Sequence, residues 1–299
     1  MIFRRIVNLN FKQPLSSVVI FIFCITSLIF SSGCSLIMSS ATSDMMEHLS
    51  TTIVNNDDLP LVKTGAPAYL LMIDSLISRD PENTTLLTTA AMLYSSYADL
   101  FVKDIERSRK MADKSLNYAN RAICLENDNA CRLKSKTFEE FEKIISNMKK
   151  QQVPTLFALG NAWAGWIMAN KSDFNAIADM SHIELIMQRV IELDETYKDG
   201  AAYLYLGTLA TFLPPALGGR PDLGKQYFEK AVNLSRGKNL MVKVVFAKMY
   251  ARMIFDRTLH DQLLKEVMAA NPNVSGYTLV NTWAQIQAEE LINSADDYF

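Results

Sequence analysis

Residues 201–236 read AAYLYLGTLATFLPPALGGRPDLGKQYFEKAVNLSR. Tyr203, Leu206, Gly207 and Ala210 fall at i, i+3, i+4 and i+7, so they share one face of a helix. After a Pro- and Gly-rich connection, Gly224, Phe228, Ala231 and Leu234 recur at steps of four, three and three. Small residues at such positions let two helices approach, while large ones fill the gap beside them. This is the tetratricopeptide pattern, in which two linked helices present small and large residues to each other at fixed offsets. The stretch therefore predicts a helix pair whose connection is longer than the usual tight turn.

The same signature returns on both sides. Met187, Val190 and Leu193 have the second-helix spacing, as do Leu264, Val267 and Ala270 before Pro272, and Ser115, Ala119, Ala122 and Leu125 earlier in the chain. Leu87, Ala90, Ala91 and Tyr94 have the first-helix spacing. Met187 to Phe228 is 41 residues and Phe228 to Leu264 is 36, near the roughly 34 of a standard repeat. The 68 residues from Ala119 to Met187 imply an insertion or an extra helix. Recurrence in four places points to an all-α array of degenerate tetratricopeptide-like helix pairs, curved into a single domain, rather than to an unpatterned bundle. A helix over 279–292 caps its open end, since a terminal repeat must hide its apolar face. A break is expected over Lys63–Pro67, a helix start after Asp80–Asn83, a charged helix over Lys134–Lys150 and a helix over Ser39–Asp58.

Composition agrees with helices. The 299 residues include only 11 Gly and 9 Pro, about 7% against an average near 12%. With 49% apolar residues the chain is poor in turns, which disfavours a sandwich, a disordered linker or a disulfide miniprotein. A formal charge of −2 gives no electrostatic signature for nucleic acid, which usually needs a strongly basic face.

The first 33 residues carry Arg4, Arg5 and Lys12 and no acid. The uncharged run LSSVVIFIFCITSLIF follows over 15–30, the layout of an export signal rather than a spanning helix of ~20 residues. It ends at Ser31-Ser32-Gly33-Cys34, where a small residue before a cysteine marks a bacterial lipoprotein signal, although Ser31 replaces the usual leucine. Cys34 is the expected lipid attachment, and several acyl chains make such an anchor durable. The domain plan is thus a signal over 1–33, a tether and N-terminal helix over 34–64, and the helical domain over 65–299. The alternative at this end is an uncleaved anchor; either way the remainder is exported. In an oxidising compartment Cys124 and Cys131 are candidates for a disulfide, with two buried thiols as the equal alternative.

Catalytic patterns are missing. Gly160 and Gly165 are not followed by Lys-Ser or Lys-Thr, and there is no HExxH or GxSxG. His48, His182 and His260 are scattered without metal-ligand spacing, so neither a metal nor another cofactor is expected, and the chain does not read as an enzyme. Binding is better represented. Trp163 and Trp166, three apart on a helix, form either core or the aromatic wall of a cleft. Tyr203 and Tyr205 point to different faces of their helix, so at most one of them joins such a wall, and Tyr203 is the candidate. Gly218, Gly219 and Arg220 in the long connection offer a compact turn and a guanidinium for a carboxylate, against the plainer reading of local bonds.

Taken in order, GAPAYLL at 65–71, AAMLYSSY at 90–97, WAGWI at 163–167, GGRP at 218–221, YFEKA at 227–231, SRGKN at 235–239 and NTWAQIQA at 281–288 resemble one known family. It is the T component of tripartite ATP-independent periplasmic (TRAP) transporters, the TatT lipoproteins. The resemblance implies a tetratricopeptide-like fold and a lipid-anchored periplasmic location. It also implies a homotrimer, a periplasmic solute-binding protein as partner and a hydrophobic organic acid as ligand. The rival reading is an envelope scaffold lipoprotein whose repeats assemble other proteins.

Overall fold

Capping residues set where the helices begin, and the computed structural model describes residues 48–299. Asp58 accepts the Leu61 N–H at the start of α1 (Leu59–Arg79), Asn83 that of Leu86 at α2 (Thr84–Phe101), and Asp104 that of Arg107 at α3 (Ile105–Glu126). Each side chain satisfies a donor that the first helical turn cannot. A reciprocal Thr137–Glu140 capping box opens α4 (Phe138–Ser146). Then come α5 (Val153–Ala169), the short α6 (Phe174–Ala178), α7 (Met180–Asp194), α8 (Ala201–Ala210) and α9 (Pro221–Ser235). The chain continues as α10 (Met241–Phe246), which runs into a π-helical turn at Ala247–Ala251. It finishes with α11 (Arg257–Ala269), α12 (Thr278–Asn293) and α13 (Ala295–Tyr298). No strand occurs among the described residues, and Ile53–Phe299 forms one compact unit.

The helices pack as stacked pairs: α2 with α3, α5 with α7, α8 with α9, and α10 with α11. This is an all-α, tetratricopeptide-like array, and its seams explain the spacing read from the sequence. A methyl group added at Gly207 would lie 2.8–3.0 Å from three ring atoms of Phe228, so glycine there admits the ring. Gly160 makes the corresponding room for Met187 and Ile186. In the α2–α3 seam the buried Ser115 hydroxyl donates to the Ala91 carbonyl at 2.7 Å. Leu125 departs from the pattern and is 43% exposed.

The long interval between repeats holds α4 and the turns before it. Cys124 at the end of α3 is disulfide-bonded to Cys131, their Cα atoms 4.5 Å apart, which closes the chain into these turns. Of the charged helix expected over 134–150, only Phe138–Ser146 is an α-helix. It brings Phe141 edge-on to Trp163 and His182 over the α5–α7 seam.

No break occurs at Lys63–Pro67: α1 runs straight through Pro67. Proline has no N–H for the carbonyl four residues earlier, which usually costs a helix dearly. Here that orphaned carbonyl, on Lys63, accepts the Tyr97 hydroxyl at 3.0 Å. The closing helix is pinned by the fully buried Asn281, which accepts the Leu240 N–H at 2.9 Å and donates to the Lys238 carbonyl at 2.8 Å. Cys34 and residues 39–47 of the helix expected over 39–58 lie outside the described residues; of the remainder, 48–54 are helical and the helix ends before 58.

Candidate functional site

The first helices of the pairs are nearly devoid of charge. Asp99 is the only charged residue in α2, and α5 and α8 have none. A helix apolar on all sides is enclosed on all sides. One face of each packs on its partner helix; the other lines a cavity of about 540 Å³ that α2, α5, α8, α10 with its π turn, and α12 surround. Pockets of this size hold small organic molecules. Its walls are mainly apolar, with Met168, Leu204, Phe212, Met249 and Trp283 among them.

One region of the wall is polar. Asp99 of α2, Asn161 of α5, Tyr205 of α8 and Lys248 of the π turn all line the cavity. Asp99 is open to the cavity interior but ringed by its walls, and the lost hydration raises its carboxyl pKa, while the Lys248 ammonium opposes that shift. Tyr205 is pushed up to about 12, first by burial and further by the Asp99 charge, with the bond from Asn161 acting the other way. Asn161 donates its Nδ2–H to the Tyr205 hydroxyl oxygen, which leaves the phenolic proton available to another acceptor. The other end of that amide, Oδ1, is buried without a partner.

The residues nominated from sequence lie elsewhere. Trp163 is 1% exposed and belongs to the α5–α7 core: its indole N–H donates to Asp179 at 3.1 Å and its ring stacks on His182. Trp166 is half-buried on the opposite side from the cavity lining. Its N–H donates to Asp113 at 2.7 Å, and the Lys134 ammonium sits 3.3 Å above its ring. Tyr203 is buried in the α8–α9 seam, donating to Glu195 at 3.2 Å beneath Lys230.

Gly218, Gly219 and Arg220 shape the α8–α9 connection. Gly218 has φ +94°, and a side chain at Gly219 would meet the Leu213 carbonyl oxygen at 1.8 Å, so the turn closes only over glycine. Arg220 Nη2 donates to both oxygens of Glu184 at 2.7 and 2.8 Å, and its backbone N–H donates to the Ala210 carbonyl at 2.7 Å. The structure thus brings Gly218, Gly219 and Arg220 together and keeps all the nominated residues off the cavity wall. Of the two tyrosines it is Tyr205, not Tyr203, that reaches the cavity; Asp99, Asn161 and Lys248 escape sequence reasoning because each stands alone in its own helix. The one signal was a single charge in an otherwise uncharged helix, at Asp99.

Among the described residues no cluster of three or more His, Cys, Asp or Glu side chains is placed to hold a metal ion. None of the described helices is long and apolar enough to cross a membrane. Residues 55–299 match the family model described as TAtT, TRAP transporter T-component. An uncharacterized protein of Treponema pallidum (strain Nichols) is similar, 22% identical over 323 aligned residues that span 96% of this chain and 99% of the relative.

Proposed function

The chain belongs to the TRAP transporter T-component family, and on that premise we propose that it couples a solute-binding protein to an apolar ligand held in its cavity. Members of this family are envelope-associated, non-catalytic accessories of transport. In our reading this chain is exported, is anchored by acylated Cys34 facing the periplasm, and works as a homotrimer that docks the transporter's solute-binding protein. The cargo is a hydrophobic organic acid. The observation that carries the ligand reading is the largely apolar cavity with one unpaired cation, Lys248, on its wall. A carboxylate brought into such a space is stabilised by that ammonium far more than it would be in water.

Cross-linking in the native envelope, followed by affinity capture of the full-length protein and mass spectrometry, tests the partner. Recovery of a periplasmic solute-binding protein supports the reading; recovery of envelope-assembly proteins alone overturns it. Among the nominated aromatics, Trp166 is the one reachable by a partner. Trp166→Ala is therefore expected to lower capture several-fold with little loss of helix content by circular dichroism. Undiminished capture would remove Trp166 from the interface.

A further inference from the structure

Asp99 and Lys248 carry opposite charges into one cavity without meeting. Neither makes an ion pair or hydrogen bond among the described residues, although each feels the other's field. Both side chains are exposed to water in the cavity as it stands, so leaving them unpaired becomes costly once an apolar occupant displaces that water. Elsewhere in the same array several neighbouring carboxylates and cations are joined, as Arg220 is to Glu184 and Lys243 to Glu266 at 2.7 Å. Asp99 and Lys248 thus offer a bound molecule one carboxylate and one ammonium within the same cavity.

We propose that the cavity binds a zwitterionic α-amino acid with an apolar side chain, its carboxylate on Lys248 and its ammonium on Asp99. The proposal rests on the ligand reading above and narrows it. The Tyr205 hydroxyl, whose oxygen already accepts from Asn161, donates a hydrogen bond to the same carboxylate. The side chain lies along Trp283, Leu204 and Met249. A simple carboxylate would satisfy Lys248 but leave Asp99 without a partner. A simple amine would do the reverse. Of the three, only the amphoteric ligand pairs both charges and leaves the occupied site at net zero.

The raised pKa of Asp99 adds a second signature. An ammonium beside the carboxylate favours its ionised form, so binding expels a proton wherever the free site holds one, and affinity falls as pH is lowered. Lys248 and Tyr205 are the other titratable groups facing it.

The test is calorimetric titration of the full-length protein in phospholipid nanodiscs with two matched sets of probes. One is L-leucine, 4-methylpentanoate and 3-methylbutylamine; the other is L-phenylalanine, 3-phenylpropanoate and 2-phenylethylamine. We expect at least one amino acid to bind tenfold or more tightly than both its deaminated and its decarboxylated analogue, with a buffer-dependent enthalpy that reports proton release. Asp99→Asn should weaken the amino acid at least tenfold and leave the carboxylate within about twofold. Lys248→Met should weaken both.

Equal or tighter binding of the plain carboxylate, or an Asp99→Asn variant that weakens both ligands alike, overturns the amino-acid assignment while the organic-acid reading stands. If no probe of either set binds, and longer-chain carboxylates also fail, both readings fall.

Discussion

Helix α2 carries two polar sites on different faces, and they are built in opposite ways. On the outer side, Tyr94 donates to Asp74 of α1 at 2.7 Å, and Tyr118 and Lys114 of α3 donate to the same carboxylate. Burial alone would raise the Asp74 pKa, but bonds from Lys114, Tyr118 and Tyr94 outweigh it and hold the carboxyl below its ordinary range. Five residues on, Asp99 faces the cavity with no such bonds, and its pKa moves up. A carboxylate surrounded by donors ties helices together. One left unpartnered ties nothing together and keeps its lone pairs open to water or to a bound molecule.

The seams and the cavity differ in the same way. Phe228 is fully buried, stacked on Phe246 and pressed against Gly207. Trp283, also large and aromatic, is half-buried and has empty space on its cavity side. Removing the first opens a void where every side had a partner; removing the second enlarges one that exists. We expect Phe228→Ala to lower stability by about 4 kcal/mol and Trp283→Ala by half that or less. Urea denaturation of the two variants decides it, and equal losses would mean that the cavity is as tightly packed as the seams.

A smaller effect is expected from the two carboxylates. Asp74→Ala strands two tyrosine hydroxyls and an ammonium and should cost about 2 kcal/mol, while Asp99→Ala should fall within about 0.5 kcal/mol of the parent. Their pH dependences run in opposite directions. Asp74 is lower in the folded than in the unfolded chain, where Asp titrates near 3.9. Its contribution is therefore present above about pH 4 and is lost as pH falls through the folded value. Asp99 is raised, so the folded chain holds the extra proton and stability declines as pH rises from about 4 through its folded value. Asp99→Asn should thus gain on the parent as pH rises, and Asp74→Asn should lose. Thermal melts between pH 3 and 8 read both, and parallel curves would erase the distinction.

The least effect belongs to Arg220. Its pair with Glu184 is about half open to water on the arginine side, so Arg220→Ala should cost under ~1 kcal/mol in the same denaturation assay. A loss of several kcal/mol would place the α8–α9 connection among the elements that hold the array together.

How far the sequence could be read follows from where information is local. Spacings such as Tyr203–Ala210 or Phe228–Leu234 lie within one helix, so periodicity exposes them, and the pairing of small with large residues carries over to the seams. The outcome at Pro67 was hidden, because whether a proline ends a helix depends on who satisfies the carbonyl behind it. Tyr97, 34 residues from Lys63, does so here. Trp163 and Trp166 drew attention as an aromatic pair, yet the first is core and the second faces away from the cavity. A helix has several faces, and one-dimensional spacing shows that residues share a face without showing what that face meets.

The helical class, the repeat with its long interval and the family were all legible along the chain, since they rest on short-range periodicity and on the order of fragments. Tertiary structure alone decided that Asp99, Asn161, Tyr205 and Lys248 share a wall. They sit on four helices spread over 150 residues, and only the curvature of stacked pairs turns their separate inward faces toward one space.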